Sequence, residues 1–320
     1  MKLLNYLVYA LIAGFLAAGR IIPMRLTFGL AARLGRLAYR LGRNRRALAL
    51  HNLELALGRE TSPEQREEIA RASFANLFIA FAEVLHYFPL HFVDHTRYFT
   101  FEGVEILEQY RRQKQGVFLI SGHFGGWATM PLVPRFPEGP LMHMVARLMT
   151  NRYLQDLMDE LAEPYHLRIL TGRGKGSLIE EGAARGEWFC FWMDQEARRD
   201  QGLFVKFFGQ DASTFAVPGY LAWKNSIPLV PYWVVRKEPG RFQVIIRPAL
   251  RYELVEDKDE NNRRVAQAIV AEVESMVRAH PEQWLWAHNR WRRRPDGTKI
   301  EFATHWKNRK RKKNGQTGPA

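Results

Sequence analysis

Two short runs of unbroken apolar residues constrain this chain more than any other feature. Val117-Phe118-Leu119-Ile120 follows Gly116 and breaks off at Ser121-Gly122-His123, and Trp188-Phe189-Cys190-Phe191-Trp192-Met193 breaks off at Asp194. Runs of this length, ended abruptly by small or polar residues, mark strands buried on both faces, which occur in parallel sheets covered by helices. Met142 to Leu148, Leu229 to Val235 and Phe242 to Ile246 read as further strands. Helical stretches lie near 104–114, from about Asn151 to Leu161 and over 260–279. Thr61-Ser62-Pro63-Glu64 combines a capping residue with a first-turn proline, and the helix it opens carries Ile69, Phe74, Leu77, Phe78, Phe81 and Leu85 at 3–4 spacing. Strands alternating with helices predict an α/β fold with a mixed, largely parallel sheet flanked by helices.

The N-terminus predicts a membrane anchor. Leu3 to Gly19 is apolar except for Asn5, and about 17 such residues is the lower limit for crossing a bilayer. A signal peptide is the weaker reading, because the positive start is slight and amphipathic sequence continues beyond Pro23. Residues 24–42 set Leu, Phe and Ala against Arg25, Arg33, Arg36 and Arg40, the pattern of a helix lying in a membrane interface, although a core helix of a soluble domain has the same periodicity. Arg43, Arg45 and Arg46 then place the body on the cytoplasmic side. The chain divides into an anchor and interfacial helix over 1–45, a single domain over 46–304 and a basic tail over 305–320.

Forty-seven Lys and Arg oppose 33 Asp and Glu, a formal charge of +14. Such a surface suits nucleic acid, acidic headgroups or an acidic carrier protein. No recognition helix or aromatic platform accompanies the basic tail, so nucleic acid is not expected as a partner. The lone cysteine, Cys190, excludes an internal disulfide and falls in an apolar strand, where it reads as core. No Cys/His cluster has zinc spacing, and no serine has the hydrolase G-x-S-x-G context. Trp284, Trp286 and Trp291 beside Arg290 to Arg294 read as a membrane-interface cluster.

The segment Ser121-Gly122-His123-Phe124-Gly125-Gly126-Trp127-Ala128 carries the chemistry. A histidine at a strand end stands at the carboxyl edge of the sheet, where open α/β folds bind ligands. Gly125 and Gly126 would let a substrate approach the backbone. With Asn52-Leu53, Arg147, Arg173, Asp194-Gln195, Phe207-Phe208-Gly209 followed by Thr214, Val230-Pro231, and Pro281-Glu282-Gln283-Trp284-Leu285-Trp286 with His288, Arg290-Trp291 and Pro295, the chain resembles the late lipid A acyltransferases of the lysophospholipid acyltransferase superfamily. The matches run in order over nearly the whole chain after the anchor.

The resemblance implies a glycerol-phosphate-acyltransferase-like fold at the cytoplasmic face of a bacterial inner membrane. It implies an acyl-carrier-protein thioester as donor, a phosphorylated lipid A precursor as anionic acceptor, and no cofactor beyond the cosubstrate. His123 is then the general base, and Arg147 and Arg173 are phosphate ligands. Transfer from acyl-CoA to another glycolipid, such as a mannosylated inositol lipid, and a non-catalytic membrane-binding homologue are the alternatives. One position departs from the family pattern. Its His-x4-Glu/Asp motif ends here in Ala128, which leaves the base without its orienting acid and predicts a loss on the order of 10²–10⁴ in rate. The departure reads as an inactivating Glu→Ala change, against a natural inactive form or replacement of the acid by Asp194 or Glu196.

Overall fold

The computed structural model describes residues 2–19, 22–87, 97–132, 139–146, 151–172, 174–198 and 201–300. Four helices open the chain: α1 Lys2–Gly19, α2 Met24–Leu41, α3 Arg43–Leu57 and α4 Pro63–Tyr87. The body follows as β1 Phe99–Glu102, α5 Val104–Arg112, β2 Val117–Ser121, β3 Met142–Ala146, α6 Arg152–Ala162, β4 Leu167–Thr171, α7 Gly176–Ala184 and β5 Trp188–Trp192. It is completed by β6 Gly202–Phe207, β7 Gln210–Phe215, α8 Val217–Lys224, β8 Leu229–Glu238, β9 Arg241–Ile246 and α9 Lys258–Ala279.

Seven of these strands form one sheet in the order β1-β9-β8-β2-β5-β3-β4, while β6 and β7 pair separately as an antiparallel hairpin. Every pairing in the large sheet is parallel except β8 with β9. The predicted mixed, largely parallel sheet is therefore present. The apolar runs occupy its centre, and alternation sends their side chains both ways. Phe118, Ile120, Phe189 and Phe191 face a core shared with α7, α8 and α9. Val117, Leu119, Trp188 and Cys190 face a second core shared with α2, α5 and α6. Burial pushes the Cys190 thiol pKa up, as a core role requires.

Helix α2 is two-faced. Phe28, Ala31, Gly35 and Tyr39 are buried, and a Cβ on Gly35 would stand 2.6 Å from the Ala75 Cα of α4, so glycine there is what lets the two helices close. Its other face exposes Leu26, Leu30, Leu34, Leu37 and Leu41.

No helix among the described residues is long and apolar enough to cross a membrane, which corrects the expectation of a spanning anchor. At about 1.5 Å per residue, α1 falls short of a hydrocarbon core of about 30 Å, and Lys2, Asn5, Tyr6 and Tyr9 interrupt its apolar character. It leans on α6 instead. Asn151 Nδ2 donates to the Asn5 carbonyl at 2.9 Å, and Tyr153 meets Tyr6 and Tyr9 at ring separations of 5.7 and 5.9 Å. The predicted strand from Met142 ends at Ala146. The remainder to Leu148 and the basic tail over 305–320 lie outside the described residues.

Candidate active site

Strands β2 and β5 lie side by side in parallel with Ser121 opposite Trp192. Two residues beyond each partner stand His123 and Asp194, both at the carboxyl edge of the sheet. Their side chains meet, with His123 Nδ1 2.9 Å from Asp194 Oδ1. Asp194 is buried and His123 partly exposed. Gly122 makes room for the carboxylate, since a Cβ there would stand 3.1 Å from both the Cβ and Cγ of Asp194.

Burial would raise the Asp194 pKa, but the His123 ring, the Trp284 indole N–H and a backbone bond act against it and hold it at about 2. The carboxylate is thus ionised at neutral pH and fixes the tautomer with hydrogen on Nδ1. Nε2 then keeps a free lone pair for a substrate proton. The Gln195 amide nitrogen lies 3.1 Å from Nδ1 and 3.3 Å from Nε2. With Nδ1–H committed to Asp194, the ring nitrogen left to accept from this amide is Nε2. Trp127 and Trp192 flank the imidazole at ring separations of 4.8 and 5.1 Å.

The turn after His123 is clamped from three sides. Gly125, at φ +56°, donates its N–H to the Gln283 carbonyl, and Gly126 donates to the Val234 carbonyl of β8. Arg236, buried on β8, donates from Nη2 to the Gly125 carbonyl at 2.9 Å while pairing with the fully buried Glu83 of α4. Asn76 accepts from Arg236 Nη1 at 2.8 Å. A Cβ on Gly126 would stand 2.6 Å from the Phe242 ring, so protein fills the space beside this glycine. Glu83, a lone charge in an apolar helical stretch, was the available sequence signal for this clamp, while Arg236 was masked by the charged Lys237 and Glu238 that follow it.

A cleft of about 520 Å³ opens over the dyad, lined by His123, Val145, Ala146, Gly172, Trp192, Gln195 and Arg198 among others. Arg147 and Arg173 lie outside the described residues, although their neighbours Ala146 and Gly172 line this cleft. Ala128 is buried in the 3-10 helix Trp127–Leu132. Of the two carboxylates considered as replacements for the missing acid, Asp194 is the one that stands against the His123 ring. Glu196, the other replacement considered, is turned to Arg293 at 2.6 Å.

The tryptophan cluster is corrected from membrane interface to core. Trp284, Trp286 and Trp291 are at most 1% exposed, packed with Phe207 and Phe208, and their indole N–H groups bond to Asp194, Pro281 and Phe207. Asn52 ties down the same segment by donating to the Trp286 and His288 carbonyls at 2.8 and 2.7 Å.

Comparison with known proteins identifies the family. The family described as bacterial lipid A biosynthesis acyltransferase matches residues 1–293. The chain is 26% identical to the lipid A biosynthesis myristoyltransferase of Escherichia coli over 82% of its own length and 80% of that protein. It is 25% identical to the lipid A biosynthesis acyltransferase 2 of Shigella flexneri over 86% of each chain. It is 25% identical to the palmitoleoyltransferase of Escherichia coli over 86% of its length and 88% of the relative's. With the family pattern matched over nearly its whole length, the chain belongs to the bacterial lipid A biosynthesis acyltransferases.

Proposed function

We propose that this protein moves a fatty acyl group from an acyl-carrier-protein thioester to a hydroxyl of a phosphorylated lipid A precursor. The imidazole of His123 in the cleft, held from behind by the buried Asp194, carries this reading. Nε2 of His123 removes the proton as the acceptor oxygen attacks the thioester carbon. The tetrahedral adduct then collapses, the C–S bond breaks, and the imidazolium returns the proton to the departing thiolate. Asp194 stays ionised throughout and stabilises the transient imidazolium, the division of labour of an acid–base dyad. No covalent acyl-enzyme is required. Because Asp194 fills the orienting role, the chain is read as a competent catalyst despite Ala128.

The reaction takes place at the cytoplasmic face of the inner membrane. Support comes from the exposed leucines of α2 interleaved with exposed Arg25, Arg33, Arg36 and Arg40. That combination suits the plane of an anionic bilayer surface without crossing it. The excess of positive charge also suits an acidic donor protein.

Purified protein in mixed micelles, given acyl-carrier-protein thioester and lipid A precursor, is expected to yield one acylated lipid and one free carrier thiol per turnover by mass spectrometry. Acyl-CoA tested in parallel is expected to be the poorer donor. Absence of product with either donor, together with unchanged lipid A in cells lacking the gene, would overturn the reading.

A further inference from the structure

A second cavity, of about 450 Å³, opens beside the catalytic cleft. Arg198, Arg293, Arg294 and Lys299 line it together with Phe204 and Ser213, and Arg198 also lines the cleft over the dyad. Three of these cations, Arg293, Arg294 and Lys299, are carried by a hairpin over 292–300. Ile300 donates its N–H to the Arg292 carbonyl and Arg294 to the Thr298 carbonyl, and the turn is set by Gly297 at φ +87° and by Asp296 accepting from Thr298. Arg293 stitches the hairpin to the segment that follows the dyad, donating to the Ala197 carbonyl at 2.8 Å and pairing with Glu196.

Arg293 is answered by Glu196, and among the described residues that line the hollow there is no acid to set against Arg294 and Lys299. Gathering them around one hollow costs repulsion that a multivalent anion would relieve. A phosphate monoester carries about 1.5–2 negative charges and three acceptor oxygens, which matches arginine forks and a lysine. The hollow is far too small for a folded acidic protein, and Arg198 lines both it and the cleft that His123 lines.

We propose that this cavity is a phosphate subsite for the acceptor, holding a sugar phosphate on Arg294 and Lys299, with Arg198 at the shared wall, while a hydroxyl of the same lipid reaches His123. The assignment rests on the acyl-transfer reading for the identity of the ligand. Arg294 and Lys299 are the residues to change, since Arg293 also holds the fold through Glu196.

The direct probe is equilibrium binding of glucosamine 1-phosphate against glucosamine. Wild-type protein is expected to bind the phosphate at least about tenfold more tightly, and the double variant R294Q/K299Q to lose that preference. Equal binding of the two sugars by wild type, or a preference that survives in the variant, overturns the subsite. In the transfer assay, the double variant is expected to raise KM for the phosphorylated acceptor about tenfold, with donor KM moving less than about twofold. A rise in donor KM instead assigns the cations to the donor's phosphodiester and overturns the proposal. Phosphate-dependent binding by a wild-type protein that transfers nothing would remove the acyl-transfer reading and leave the subsite standing.

Discussion

The indole N–H of Trp284 reaches Oδ2 of Asp194 at 3.0 Å, while Oδ1 of the same carboxylate accepts from His123. Both oxygens are thereby fixed, and the buried carboxylate can hold the imidazole in one orientation. The tryptophan belongs to the closing segment of the fold, so the geometry of the base depends on packing far along the chain.

Replacing the dyad tests this directly. His123→Ala and Asp194→Asn are each expected to lower kcat by on the order of 10²–10⁴ in a thioester-consumption assay, and the double variant to fall little further, since the two act as one unit. Trp284→Phe, which removes one bond to a charged group, is expected to cost roughly tenfold in kcat.

Ala128→Glu separates two views of the departure from the family motif. With Nδ1 already committed to Asp194, an added carboxylate at this buried position is expected to raise kcat less than about tenfold. A gain of about a hundredfold or more would mean that the base lacks effective support in the present sequence.

The Arg236–Glu83 pair tests the clamp on Gly125. Arg236→Met strands a fully buried carboxylate and is expected to destabilise the fold by about 3–5 kcal/mol in urea titrations. Joint replacement with Glu83→Leu is expected to recover much of that loss while leaving kcat low, because the Gly125 carbonyl loses its donor.

Acid sensitivity is expected to involve His288. Its ring accepts the Glu196 N–H at 3.2 Å, and burial, reinforced by nearby His123, Arg290 and Arg45 and only partly opposed by Asp194, lowers its pKa to about 4. Between the unfolded value of about 6.5 and that folded value, the unfolded chain binds a proton that the native state refuses. Stability therefore falls as pH drops through this window and is unaffected by this group above it. Chemical denaturation from pH 7 to 4 should show a loss on the order of 3 kcal/mol that is absent in His288→Gln.

The leucine face of α2 makes a further prediction. Leu30→Asn with Leu37→Asn changes two exposed positions and is expected to weaken sedimentation with anionic vesicles by roughly tenfold or more. Helix content by circular dichroism should stay the same. Equal partitioning of variant and wild type would place membrane contact elsewhere.

The central strands and the dyad were legible because unbroken apolar runs announce buried strands and polar residues at their ends announce the sheet edge. Asp194 was a candidate only as one of two replacements for the missing acid, since sequence could not give the β2–β5 register. The β6–β7 hairpin was not legible. Its turn sets Phe208 at φ +51° before Gly209, a conformation that a bulky side chain disfavours. Tertiary contacts override that preference, because Glu274 accepts the Phe208 N–H at 2.6 Å and Trp286, Trp291 and Arg278 surround its ring. The tryptophan cluster misled for a related reason, as an indole beside arginines looks the same in sequence whether it is wet or packed. The apolar N-terminus likewise does not reveal that its tyrosines lean on α6.

The alignment of Ser121 with Trp192 reaches beyond architecture. Slipping one strand past the other by a single residue moves its side chains about 3.3 Å and turns them over, which takes Asp194 out of reach of His123. The two segments lie 71 residues apart in the chain, so neither carries any latent reactivity of its own. A partly assembled polypeptide with its helices formed but that seam mis-zipped has no His123–Asp194 pair, and the pair comes into being only when the last misalignment has been corrected.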